Sequence, residues 1–277
     1  MSKKPRAQTF AIAELRSSLE QLGAQAAMAT LTVRQRKDLE REIRHVIGDL
    51  SGLLNSLDPI RQPTAVFDPS NPKIVGRFVS LALVAQQRQA LSDIPRFYGS
   101  GVYAIYYRGD FPPYRNLSGS ETPIYVGQAA PAVNNARTPL EQGARIGARL
   151  SDHRKNIAKA TTTLRLTDFE FRCLVVQSGW ETAAEDYLIH LFRPIWNSET
   201  GILYGLGKHG DDADTRANKR SPWDTMHPGR AWAAKSKEDA KSLDHIAAEL
   251  SEHFTEHPVF PDIEHVLSSF LDELRQI

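Results

Sequence analysis

The stretch Gly99 to Gly127, GSGVYAIYYRGDFPPYRNLSGSETPIYVG, decides the fold. It contains two short tyrosine-bearing segments separated by a polar loop, and each segment has glycine close to its aromatic. Gly101 to Tyr107 reads as one strand and Pro123 to Gly127 as a second. A third strand is expected at Asp168 to Gln177, where Phe169, Phe171 and Cys173 alternate with charged neighbours. Between the second and third strands lies a basic helix carrying Arg149 and His153. After the third comes a helix reading E-x-x-L-I-x-x-F-x-P-x-x-N from Glu185 to Asn197. The order strand, strand, helix, strand, helix predicts an α/β (α+β) chain with a small mixed or antiparallel three-stranded sheet flanked by helices.

Outward from this centre the pattern changes. Ile12, Leu15, Leu19 and Leu22 recur at helical steps, as do Leu39, Ile43, Val46, Leu50, Leu53 and Leu57. Thr32 with Gln35 resembles a capping box opening the second helix. Asp58 to Pro72, interrupted by Pro59, Pro63 and Pro69, reads as a linker, and a helix from roughly Lys73 to Gln87 precedes the tyrosine strands. Gly201 to Trp232 is irregular, with LYGLGKHGDDAD and RSPWDTMHPGR, and from Glu238 the chain becomes helical and acidic. The expected organisation is residues 1–95 as a helical scaffold or dimerisation region, 96–200 as a catalytic domain, and 201–277 as a DNA-contacting loop segment with C-terminal helices.

With 277 residues the chain can bury a substantial core. No apolar run approaches a membrane span and no signal-peptide core follows Met1, so a cytoplasmic location without membrane association is expected. The lone Cys173 excludes an internal disulfide framework and multi-cysteine zinc sites. Net charge is only +1, with 34 Lys and Arg against 33 Asp and Glu. Its distribution says more: Arg137, Arg145, Arg149, Arg154, Lys155, Lys159 and Arg165 face only Glu141 and Asp152 over one short stretch. Such a local excess attracts a phosphate backbone.

Hydrolysis of a phosphodiester needs a group to orient and deprotonate water, a cation for the developing charge, and a metal or acid at the leaving oxygen. Tyr103 is a candidate for the first, provided positive charge lowers a phenol pKa that is normally about 10. Arg149 and His153, four residues apart, share one helix face and would supply phosphate clamping and proton exchange. Arg145, one turn earlier, competes with Arg149. Glu185 is the candidate metal carboxylate, because magnesium keeps most of its waters and needs few protein ligands, and Glu181 competes with it. Asn197, beyond the helix-ending Pro194, can hold backbone or a phosphate.

In order and spacing the sequence resembles the GIY-YIG nuclease superfamily. GVY at Gly101 to Tyr103 and YVG at Tyr125 to Gly127 stand for the two tripeptides, with valine in place of isoleucine, and the core match spans about Tyr98 to Asn197. The FYGSGVYAIYY context and RSPWDTMHPGR look like the type II restriction endonuclease branch. The resemblance implies a homodimeric, Mg2+-dependent enzyme, with Mn2+ as a substitute, that cuts both strands of a short, GC-rich palindrome in double-stranded DNA. A cognate DNA methyltransferase, not stably bound, is expected in the same system. By the same resemblance Tyr103, aided by His153, would be the base or water-orienting phenol, while Tyr125 and Arg149 would hold the phosphate. Glu185 would bind the metal, and Asn197 would brace the site.

Base reading calls for Arg, Lys, Asn or Gln at groove edges. Candidates are Gln128, Asn134, Asn135 and Arg137 after the second strand, with Arg145, and later Lys208, His209, Arg216, Asn218, Lys219 and Arg220. A structure- or damage-directed nuclease and a non-catalytic DNA-binding module of the same fold are the alternatives. A zinc protease site at His253, Glu256 and His257 is disfavoured because Pro258 follows at once and little chain remains for a third ligand. The acid run Asp211, Asp212 and Asp214 reads as a solvated loop.

Overall fold

In a computed structural model the described residues are 12–28, 33–57, 68, 71–207 and 219–275. The chain divides into two compact units, Met1–Thr64 and Ala65–Ile277. The first holds α1 (Ile12–Met28) and α2 (Val33–Leu57). Along α2 the apolar stripe Ile43, Val46, Ile47, Leu53, Leu54 and Leu57 is exposed. Thr32 of the expected capping box and most of the expected linker lie outside the described residues.

The second unit runs α3 (Pro72–Val84), β1 (Gln89–Ala90), β2 (Gly101–Tyr107), β3 (Tyr125–Ala129), α4 (Pro139–Gln142), α5 (Arg145–Ile157), β4 (Phe169–Val175), α6 (Glu181–Phe192), β5 (Lys219–Arg220), α7 (Pro222–Met226), β6 (Glu238–Asp239), α8 (Leu243–Glu256) and α9 (Ile263–Arg275). The main sheet is antiparallel with order β1-β4-β2-β3. It therefore has four strands rather than the expected three. The added strand is only two residues long, too short to show alternation, and its place is set by pairing Gln89 with Phe171 and Ala90 with Glu170. The helix before it is shorter than the expected span to Gln87. It opens at Asn71, whose side chain accepts from the Lys73 N–H, with Pro72 in the first turn where no N–H is needed. Glu238 and Asp239, expected to start a helix, instead form β6 in parallel pairing with β5, and α8 begins only after the Ser242 cap.

β2 is buried on both sides, and its alternation divides the core. Tyr103, Ile105 and Tyr107 join Ile146, Leu150 and Ile157 of α5, together with Trp196 and Trp223. Val102, Ala104 and Tyr106 face the other way, against α3, α6 and α9 through Leu83, Leu188 and Phe270. The result is a sheet covered by helices on both faces, with β3 at one edge.

The RSPWDTMHPGR segment enters this core. Trp223 and His227 are completely buried. Trp196 Nε1 donates to Tyr114 Oη at 2.9 Å, so the Tyr114 hydroxyl turns its own proton toward His227 Nε2. That leaves His227 Nδ1–H to donate to Thr163 Oγ1, at 2.9 Å, and Thr163 donates on to the Ala160 carbonyl. The chain of donors closes only around a neutral imidazole. Burial, with the Arg230 charge nearby, pushes the His227 pKa down to about 3.

An unfolded histidine titrates near 6.5, so the unfolded chain takes up this proton first as pH falls. The His227 contribution is complete above pH 6.5 and drains away toward pH 3. Unfolding in urea at pH 7 and at pH 5 is expected to show about 2 kcal/mol less stability at the lower value from this residue. In His227→Gln, less stable throughout, that slope is expected to flatten by about 1 kcal/mol per pH unit.

Candidate active site at the edge of the sheet

Pairing register puts the two tyrosines together. Tyr103 lies opposite Gly127 and Ile105 opposite Tyr125, so Tyr103 and Tyr125 are diagonal neighbours on one face. Their ring centroids are 6.2 Å apart. Gly127 is required by this arrangement, because a Cβ there would lie 2.5 Å from Tyr103 Oη. The Tyr103 ring lies across the glycine and cannot do so over any side chain. Gly101 has φ +150°, and its Cβ would strike the Leu174 carbonyl on β4, so the strand start also needs glycine.

From above, α5 delivers Arg149 and His153. His153 Nε2 is 2.8 Å from Tyr103 Oη, and its ring centroid is 4.7 Å from that of Tyr125. The Arg149 guanidinium lies close enough to the Tyr103 phenol to favour its ionised form. Arg145 is exposed and directs Nε to the Ala130 carbonyl, so Arg149 is the arginine that meets the phenols. Tyr103 and His153 are buried, whereas Tyr125, Arg149 and Glu185 are only half-buried.

The other side of the site is built on hydrogen-bonding vacancies of an edge strand. As the outer strand, β3 turns alternate N–H and C=O groups away from the sheet. Val126 has both satisfied by Asn197, whose Oδ1 accepts from Val126 N and whose Nδ2 donates to Val126 O, each at 2.9 Å. Two residues on, the Gln128 N–H faces the Glu185 carboxylate and favours its ionised form. Glu185 thus reaches the same edge from α6, close enough to act electrostatically on both phenols. The helix that carries it stops at Arg193, in the left-handed conformation with φ 47°, before Pro194. Glu181 takes no part: it is buried, accepting from Ser100 Oγ at 3.0 Å and Gly179 N at 2.7 Å.

Burial sets the protonation of these groups. It raises the Tyr103 phenol well above its usual value, reinforced by Tyr125 and opposed by Arg149. Tyr125 is pushed up to about 12 by burial and by Glu185. Burial, then the charge of Glu199, raises Glu185 to about 7, against the opposing influence of the Gln128 N–H groups. A divalent cation placed at this carboxylate would relieve both causes, and the hard oxygen donor suits magnesium. Among the described residues no group of three or more His, Cys, Asp or Glu is arranged to hold a metal ion.

Gly207 completes the wall, its Cβ position lying 3.7 Å from Tyr125 Oη and 3.9 Å from His153 Cε1. That turn is clamped from below: Asn156 Nδ2 donates to the Leu206 carbonyl at 3.1 Å, and Arg230 donates to the Gly205 and Leu206 carbonyls at 2.9 and 3.2 Å. Arg230 is itself held by Asp224 through two bonds of 2.6 and 2.8 Å. Glu199, Gly207 and this clamp were not anticipated from sequence. Glu199 could have been suspected from its place two residues after Asn197, but nothing local marks the clamp.

A family model for the Eco29kI GIY-YIG domain matches residues 95–254 of this chain. The chain belongs to the GIY-YIG nucleases. The match also covers the restriction-enzyme branch of that family and accounts for the antiparallel sheet flanked by helices. No curated protein sequence matches the chain significantly. A GIY-YIG nuclease domain implies an interaction with double-stranded DNA, and nucleases of this family are generally metal-dependent. No described helix is long and apolar enough to cross a membrane.

The residues expected to contact DNA fall in several places. Asn134, Asn135 and Arg137 are exposed in the loop after β3, with Asn135 at φ 61°. Lys219 pairs with Glu238 at 3.6 Å, and Arg220 is engaged by both carboxylate oxygens of Asp239. Lys208, His209, Arg216 and Asn218, with the Asp211, Asp212 and Asp214 run, lie outside the described residues. Gln128 is in the site rather than in the loop.

Gly127→Ala tests the packing of the phenol. The added methyl is expected to cost about 1–3 kcal/mol of stability in urea unfolding. Plasmid nicking is expected to vanish at temperatures where circular dichroism still shows the variant folded.

Proposed function

We propose that this protein is a type II restriction endonuclease, hydrolysing phosphodiester bonds in both strands of a short, GC-rich palindromic DNA site with Mg2+, for which Mn2+ substitutes. The observation that carries the reading is the convergence of Tyr103, Tyr125, Arg149, His153 and Glu185 on one edge of the sheet, within a domain matched by a restriction-enzyme family model. A homodimer fits a palindromic target, since a two-fold protein reads a two-fold site. A cognate methyltransferase would protect the host sequence.

In this reading Arg149 and Tyr125 hold the scissile phosphate and Arg149 neutralises charge that develops on it. The attacking water is oriented by Tyr103. Because burial keeps this phenol protonated at neutral pH, it accepts the water's proton as it hands its own to His153 Nε2, across the 2.8 Å contact. Oxygen then bonds to phosphorus, and the bond to the departing sugar oxygen breaks. Glu185 would hold the cation, which when bound supplies Lewis-acid stabilisation to the phosphate and the leaving oxygen. Asn197 keeps β3 fixed beneath these groups through its paired bonds to Val126.

Nicking of supercoiled plasmid with Mg2+ and with EDTA, followed by sequencing of fragment ends, tests the proposal. Discrete fragments with a common palindromic end support it. Metal-independent binding without cleavage would instead indicate a DNA-binding module, and cuts located by DNA structure or damage would indicate a different nuclease class.

Two variants test the assignments. Glu185→Ala is expected to abolish cleavage while leaving DNA affinity in EDTA within about threefold of wild type. Tyr103→Phe removes one oxygen and is expected to lower single-turnover rate by about 10²–10⁴-fold. A change below about threefold would remove the phenol from the chemistry.

A further inference from the structure

Gln128 was expected among the base-reading side chains, yet its polar groups are engaged inside the protein. Alternation along β3 turns it away from Tyr125 and Gly127, toward the face covered by α6. There its Oε1 accepts from Thr182 Oγ1 at 3.2 Å. Its side-chain amide and its backbone N–H both face the Glu185 carboxylate and favour its ionised form. Thr182 and Glu185 are three residues apart on α6, so one amide bridges two positions of a single helix face. Turning that amide over would aim its carbonyl at a carboxylate, which sets its orientation.

We propose that Gln128 is a positioning residue that holds the Glu185 carboxylate in the orientation that receives the divalent cation, with Thr182 fixing the Gln128 amide. The proposal rests on the metal-assisted nuclease reading. A free glutamate has three rotatable side-chain bonds, and a half-buried one beside Glu199 is drawn to turn away toward water. Donors from one strand residue, a backbone N–H and a side-chain amide, counter both tendencies. They face one side of the carboxylate and leave the other for the metal. The backbone donor is present with any residue at position 128, whereas the amide bridge to Thr182 needs glutamine.

Gln128→Leu keeps the approximate shape and removes the amide. Mn2+ binding followed by isothermal calorimetry, and the Mg2+ concentration giving half-maximal nicking, are both expected to weaken by about 10- to 100-fold. DNA affinity in EDTA is expected to stay within about threefold, with the cleaved sequence unchanged. Thr182→Val, which removes only an exposed hydroxyl, is expected to shift metal binding in the same direction by a smaller factor. Unchanged Mn2+ binding in both variants would overturn the proposal. So would a loss of DNA affinity or a relaxed cleavage sequence in Gln128→Leu with metal binding intact, since that is the behaviour of a base reader. If Gln128→Leu fails to fold, Thr182→Val alone decides, and wild-type metal binding in it overturns the idea. The two levels separate cleanly: if Glu185→Ala still cleaves DNA, the metal reading fails, whereas Glu185-dependent cleavage with a normal Gln128→Leu removes only the role of Gln128.

Discussion

The open edge of β3 is the constraint on which the rest of the site depends. An outer strand leaves alternate backbone N–H and C=O groups unpaired, and in a partly buried position each must find a partner. In this protein Asn197 is that partner for Val126, and Glu185 faces the next outward group. The amide of Asn197 serves Val126 as a further strand would, with one acceptor and one donor. The Glu185 carboxylate lies against the next outward N–H, that of Gln128. The turn after α6 is thus located by the same bonds that close the sheet, and the α6 carboxylate is brought beside phenols rooted on the opposite face.

The phenols answer to a second constraint, the pleat. Pairing Tyr103 with Gly127 and Ile105 with Tyr125 sets both rings on one face, and the glycine leaves the space one ring occupies. Burial then makes both hydroxyls weak acids, and the Arg149 charge offsets this only in part. A phenol in that state serves best as a relay, passing one proton while taking another, and the His153 contact provides the exit. Rigidity around the relay comes from below, where the buried Asp224–Arg230 pair and Asn156 hold the turn that brings Gly207 against Tyr125 and His153. The charged pair is fully buried, yet its guanidinium also reaches two carbonyls and stacks on Trp223 and Trp232, which compensates its desolvation.

Much of this is legible in the sequence. The alternation of Phe169, Phe171 and Cys173, the two glycine-flanked tyrosine strands and the four-residue spacing of Arg149 and His153 are local patterns, and each became the expected element. The resemblance of GVY and YVG to the GIY-YIG tripeptides identified the family. Other features were not legible. β1 is too short to alternate, and Glu238 and Asp239 follow a strand partner rather than their helical surroundings. RSPWDTMHPGR falls in the segment expected to be a DNA-contacting loop, but Trp223, His227 and Arg230 are interior. Distant groups satisfy them, and no local pattern records that.

The sequence by itself determined which residue types are present and on which strand or helix face each one stands, because side-chain direction follows from backbone periodicity alone. Tertiary structure decided among equivalents. Glu185 rather than Glu181, and Arg149 rather than Arg145, meet the tyrosines, and Gln128 turns to Glu185 instead of to the loop. Those choices depend on which unpaired backbone group or partner charge lies within hydrogen-bond reach, a distance that exists only once β3, α5 and α6 have packed together.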